Sequence, residues 1–207
     1  PEAEGSCLVP STLIDVDGVK VGLIGLTKPQ NKKLGSYKAL AGLLSREAAR
    51  LEPEAHILIA LVHLGSKDCE ALSRLAPEID VFVSGHTHEI LPSPKIVEKT
   101  GAIIVQAGQY ARYVGRLELT VDLDTEKIVR VNGELVEMRH DKIPCDQAML
   151  AWIQQKEQDV CPEASRTVGR CENQINNTEA GLLAAEALRE KAGADIGFCH
   201  PGAVVRS

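Results

Sequence analysis

Apolar and polar positions alternate in two distinct rhythms along the first half of the chain. In TLIDVDGVKVGLIGLT, Ile14 and Val16 alternate with polar neighbours. Asp17-Gly18 interrupts, and Val19, Val21, Leu23 and Ile24 resume the pattern. Period two on either side of an Asp-Gly pair predicts a β-hairpin, its second strand running to Leu26 and deep into a sheet. Lys28 to Gly35 reads as a polar loop. From Tyr37 the period changes: Tyr37, Leu40, Ala41, Leu44, Ala48 and Leu51 recur at helical spacing, and Pro53 follows the stop. AHILIALV is then an unbroken apolar run of strand length, which fits a central strand covered on both faces. Lys67 to Ala76 predicts a helix, and IDVFVSG a second buried strand. Strand, helix and strand in this order imply a right-handed βαβ unit with parallel pairing.

After Leu91 the rhythm is almost wholly of period two. AIIVQAG, YVGRLELTVDLD and KIVRVNGELVEMRH, the last two joined by a polar turn through Asp124-Thr125-Glu126-Lys127, predict antiparallel strands. Asp146 to Val160 reads as a helix with Met149, Leu150, Ile153 and Val160 near one face. It lies between Ile143-Pro144-Cys145 and Cys161-Pro162, the place of an interdomain connector. NNTEAGLLAAEALREKAGADIGFCHPGAVVRS predicts an Asn/Thr-capped helix, a stop at Gly193 and a short strand to Cys199. These boundaries divide the chain into residues 1–142, a connector over 143–165, and the start of a second α/β domain over 166–207.

Composition narrows the classes. The 207 residues carry a net charge of −6, and no Lys/Arg cluster exceeds Lys32-Lys33, which argues against a nucleic-acid surface. No apolar run approaches the roughly 18 residues of a membrane span. The six cysteines show no Cys-x-x-Cys pair, so a zinc ribbon is not expected. Disulfides, with Cys161 and Cys171 the nearest pair, and free thiols fit equally well.

The chemistry gathers at two strand ends. In an open α/β sheet, ligands collect beyond the carboxyl ends of the strands. The first buried strand ends Leu61-Val62-His63-Leu64-Gly65 and the second Val83-Ser84-Gly85-His86-Thr87-His88. As parallel neighbours they would deliver His63 and His86 to one sheet edge, with His88 one residue further on. Imidazoles fixed by rigid strands suit a metal ion, and nitrogen donors without thiolates suit zinc, manganese, iron or cobalt rather than calcium. His56, His140 and His200 read as surface or hydrogen-bonded structural residues. A Gly-x-Ser-x-Gly elbow and a phosphate-cradling P-loop are both missing from the sequence.

With GVKVGLIGLT, ILIALVHLGSKD, IDVFVSGHTHEIL, IVQAGQYARYVGRLELTVD and, less firmly, NNTEAGLLAAEALREKAGADI, the chain resembles metallophosphoesterases of the 5′-nucleotidase family. In these a calcineurin-like catalytic domain precedes a nucleotide-binding C-terminal domain. The resemblance implies an α/β fold: the C-terminal half of a metallophosphoesterase β-sandwich flanked by helices, a connector helix, and the beginning of a second α/β domain. It implies two divalent ions, zinc, manganese or similar, about 3.5–4 Å apart, with a metal-held hydroxide attacking phosphorus of a nucleotide or related small phosphate ester. His63 and His86 would bind one ion and His88 the other.

The family's Asp-x-His, Gly-Asp and Gly-Asn-His-Glu motifs do not occur here. The resemblance puts them before residue 1, so the 207 residues alone are expected to be inactive and the parent protein a hydrolase. In the second domain, Leu182 and Glu186 stand where the family has Asn and Asp. His200-Pro201-Gly202-Ala203-Val204-Val205-Arg206 departs from its Asn-Gly-Gly-x-Ile-Arg turn, and Arg206 would contact substrate phosphate. The alternatives are an incomplete or degenerate non-catalytic domain, and a sulfur-oxidation enzyme of the same scaffold. By the same analogy the location would be extracytoplasmic: periplasmic, secreted or surface-bound.

Overall fold

The computed structural model of the protein describes residues 8–27, 36–139, 141–167 and 169–200. The chain divides into two compact units, Pro1–Pro144 and Cys145–Ser207. In the first, β1 (Ser11–Val16) and β2 (Val19–Thr27) form the expected hairpin, Val16 pairing with Val19 across Asp17-Gly18. Asp17 (φ 51°) and Gly18 (φ 88°) both occupy the left-handed region that a tight hairpin turn requires. Helix α1 (Tyr37–Leu51) starts where the Ser36 hydroxyl accepts a hydrogen bond from Ala39 N at 3.2 Å. Of its periodic residues, Leu40, Ala41, Leu44, Ala48 and Leu51 are buried, whereas Tyr37 in the first turn is exposed and donates from its hydroxyl to Asp68.

Strand β3 (Ile57–His63), α2 (Ser66–Ser73) and β4 (Val81–Val83) follow, and β3 pairs parallel with both β2 and β4. The half-buried Asp80 carboxylate accepts a hydrogen bond from Leu58 N at 2.8 Å and so fixes where β4 meets β3. Desolvation pushes its pKa up from the ordinary value. Strands β5 (Lys95–Ile96) and β6 (Ile103–Val105) complete a six-stranded sheet of order β1-β2-β3-β4-β6-β5, and β7 (Tyr113–Asp122) pairs antiparallel with β8 (Lys127–Glu137). Alternate strand residues Leu58, Ala60, Val62, Phe82 and Ile104 form one core with the buried faces of α1 and α2. Phe82 is fully buried, a contribution of about 1.5–3 kcal/mol from its side chain.

Three expectations change, and one open question closes. AIIVQAG does not join an antiparallel series: β6 lies parallel to β4, which still has a free edge when the chain returns, and only β5 runs antiparallel to it. The sheet is not sealed on both faces at its carboxyl end, where Leu61 is 47% and Val83 39% exposed. Cys161 and Cys171, for which a bridge and free thiols fitted equally well, are free thiols. The strand to Cys199 does not form. There, Gly197 crosses so close to α4 that an added Cβ would run into Ala185 O, so the segment rests on the helix backbone.

The second unit contains α3 (Gln147–Val160), a 3₁₀ turn (Pro162–Ser165) and α4 (Asn177–Ala192). The apolar face read for α3 is exposed at Met149, Leu150, Ile153 and Val160. Helix α4 opens with a full capping box, Asn176 with Glu179, and ends at Gly193 in the left-handed conformation. Among the described residues no helix is long and apolar enough to cross a membrane.

Candidate metal centre

Strand parity decides where the histidines emerge. Leu58, Ala60 and Val62 face the helices, so His63, of opposite parity, leaves β3 on the other face with Leu61. The ladder between β3 and β4 ends at Leu61 and Val83, and Gly85 N then donates to Leu64 O at 3.1 Å, carrying the two chains forward together. The result brings His86 Nδ1 to 3.2 Å from His63 Nε2, with ring centroids 4.9 Å apart and the rings inclined at 65°. Both residues are exposed.

Two imidazole nitrogens at this spacing fit a shared cation. With metal–nitrogen bonds of about 2.0–2.1 Å, donors 3.2 Å apart subtend ~100° at one ion, between the octahedral and tetrahedral angles. His88 turns elsewhere; its ring lies 6.3 Å from that of Tyr110. Among the described residues no three His, Cys, Asp or Glu side chains converge as a metal-holding group. Arg206 and His140 lie outside the described residues. His56 is structural, its Nδ1 accepting from Lys20 N at 2.9 Å.

The loop carrying His86 and His88 is held from β6. His86 (φ 66°) and His88 (φ 58°) both take left-handed backbone conformations, uncommon for non-glycine residues and found at ligand sites. Gln106, buried at the end of β6, donates from Nε2 to Gly85 O. Its Oε1 accepts from Thr87 Oγ1 at 3.1 Å and from Glu89 N at 3.0 Å. On the opposite side the Thr87 methyl seats on Gly65, where a Cβ would lie 2.6 Å from it. Glu89 Oε2 is buried without a hydrogen-bond partner among the described residues. Cys69, buried behind the loop, has its thiol pushed up to about 12 by burial, which makes it a poor nucleophile or thiolate donor near neutral pH. The reading of the sequence singled out neither Gln106 nor Gly65. The one local signal was an amide side chain directly after an apolar strand.

A mixed α/β sheet with two imidazoles meeting at its carboxyl edge is an arrangement that suits a metal-dependent hydrolase. No protein-family profile matches the chain. Its relatives give the particulars. It is 28% identical over 199 residues to the uncharacterized metallophosphoesterase YunD of Bacillus subtilis, covering 91% of this chain and 42% of that protein. It is 26% identical to a 5′-nucleotidase of Vibrio cholerae over an alignment of 255 positions, covering 94% of this chain and 46% of that protein. Among solved structures, a 5′-nucleotidase precursor from Thermus thermophilus superposes with a TM-score of 0.69 at 21% identity, covering 89% of this chain and 43% of that one. The sulfate thiohydrolase SoxB of the same organism does so at 0.63 and 17%, covering 74% and 29%. At such identities the two structures speak for the fold alone.

The chain is therefore similar, over most of its length, to metallophosphoesterases and 5′-nucleotidases and has their fold, as the sequence resemblance implied. It spans less than half the length of these two curated relatives.

Proposed function

We propose that the chain is part of a metal-dependent phosphoric ester hydrolase acting on nucleotides or related small phosphate esters. The observation that carries this reading is the 3.2 Å approach of His63 Nε2 and His86 Nδ1 at the carboxyl edge of the sheet. In the proposal these two imidazoles hold one divalent cation and His88 contributes to a second. Zinc or manganese there would supply Lewis acidity toward phosphoryl oxygens. The protein's part is to keep the donors in place: β3 and β4 set the separation of His63 and His86, and Gln106 sets the course of the loop between His86 and His88. The nucleotide class rests on the name of the Vibrio cholerae relative. Arg206 is proposed as a contact to substrate phosphate, and an extracytoplasmic location goes with the same reading.

Three imidazoles are too few to hold two ions tightly, so the 207 residues alone should bind metal weakly and turn over nothing. The test uses the parent protein. Elemental analysis should find close to two divalent ions per chain, and hydrolysis of nucleoside monophosphates should accompany them. His63→Ala and His86→Ala should each lower the metal content and abolish hydrolysis. Variants that keep both would overturn the assignment, and a parent protein that binds metal without hydrolysing any phosphate ester would favour the non-catalytic alternative.

A further inference from the structure

Gln106 is 3% exposed and uncharged, and its side-chain hydrogen bonds go to Gly85, Thr87 and Glu89 rather than to the paired imidazoles. What its side chain does is take over from the sheet. The last ladder bond between β4 and β6 runs from Ser84 N to Val105 O at 2.9 Å. From the next residue on, the β4 strand has left its neighbour, and the Gln106 amide supplies the bonds instead. Its three partners, Gly85 O, Thr87 Oγ1 and Glu89 N, stand immediately before His86, between the two histidines, and immediately after His88. The backbone of the same residue closes the loop, Leu91 N donating to Gln106 O at 3.1 Å. One buried amide thus brackets both imidazoles while their backbones sit in left-handed conformations that an unsupported loop would leave.

From this we infer that Gln106 is a positioning residue for the metal centre: it sets the spacing and orientation in which His86 and His88 meet a cation. The inference rests on the metal-site reading of the histidines. Partners bonded directly to a ligating side chain lower metal affinity about 10–100-fold when lost, and Gln106, which acts through the backbone on either side of the ligands, is expected within that range. A merely structural glutamine would lower stability and leave affinity and ligand geometry alone.

The test titrates Co2+ into the parent protein, free of other metals, and follows both the visible ligand-field spectrum and the thermal unfolding of the metal-free protein. Gln106→Leu keeps the volume and removes all three side-chain bonds; Gln106→Glu keeps the oxygen that Thr87 and Glu89 use and loses the donor to Gly85. Expected is a ranking in Co2+ affinity of wild type, then Gln106→Glu, then Gln106→Leu, the last about 10–100-fold weaker and with an altered ligand-field spectrum. Unchanged affinity and spectrum in Gln106→Leu, beside a wild type that binds and a His86→Ala variant that does not, overturns the inference while leaving the metal reading intact. A wild type that binds no Co2+, or a His86→Ala variant that binds as well as wild type, overturns the metal reading and the inference with it. Should Gln106→Leu fail to fold, Thr87→Val removes one of the three bonds at the exposed surface, and wild-type affinity and spectrum there overturn the role of the clamp.

Discussion

Gly65→Ala tests whether the two histidine-bearing loops are mechanically joined. Gly65 caps α2 with φ −67° and ψ 164°, values open to alanine, so backbone strain does not enter. What enters is one methyl group. It would stand 2.6 Å from Thr87 Cγ2 and 3.2 Å from Thr87 Oγ1, where carbon atoms ordinarily rest about 3.5–4.0 Å apart. Two reliefs are open. Rotating Thr87 about χ1 surrenders its 3.1 Å hydrogen bond to Gln106, a loss of about 0.5–1.5 kcal/mol. Moving the backbone instead is overpacking, about 1–3 kcal/mol. The cheaper relief sets the cost, so the variant should lose about 0.5–1.5 kcal/mol, and Thr87→Ser, which deletes Cγ2 and keeps Oγ1, should remove most of the cost of the same substitution. The three tyrosines all precede residue 145 and the one tryptophan, Trp152, follows it. Urea unfolding is therefore followed through the near-UV tyrosine signal, which reports the first unit. A wild-type midpoint for Gly65→Ala, or a cost that persists undiminished beside Thr87→Ser, would refute the argument.

Three further outcomes are expected. With its thiol pushed up to about 12, Cys69 should resist a thiol reagent at neutral pH while exposed Cys161 and Cys171 react, and should react only on unfolding, as peptide mapping of the labelled protein will show. Glu47, buried against β1, is held below its ordinary 4.5 by the Ser11 hydroxyl bond and by Arg46 and Arg50. A depressed folded pKa contributes stability that is complete above the unfolded value and vanishes as pH falls through the folded one, so Glu47→Gln should cost about 1–3 kcal/mol near neutrality and flatten the acid limb below the ordinary 4.5 in unfolding free energies measured against pH. Asn176→Ala removes the side chain that caps Thr178 N and Glu179 N, and should weaken α4 by about 1 kcal/mol, seen as faster amide exchange in its first turn.

Elements that rest on local chemistry were legible in the sequence. The Asp17-Gly18 turn, the α1 face and the Asn176 cap each lie within a few residues of what determines them, and each forms where its pattern stands. The direction of β6 was not legible, because Ile103, Ile104 and Val105 are apolar without alternation and their pairing is decided by an edge of β4 some twenty residues away. The segment before Cys199 shows the same limit. Its composition permits a strand, but Gly197, with no side chain, can lie directly on the backbone of α4, and that close approach excludes the extended pairing.

The candidate centre divides along the same line. Two histidines one residue apart after an apolar run announce themselves by spacing, and a third at the end of the preceding apolar run follows from parallel pairing, which the strand–helix–strand order already implies. Their mutual distance does not follow from any of this. It depends on Gly65 leaving room for the Thr87 methyl, on Gly85 N reaching Leu64 O, and on an amide from a strand that the rhythm of the chain had placed in a different, antiparallel series. Each of these contacts is long-range and made by a residue whose type is common and whose local context is ordinary. A sequence can therefore advertise candidate donor atoms while leaving silent what aims them. Substitutions of the glycines and of Gln106, rather than of the histidines alone, separate the two.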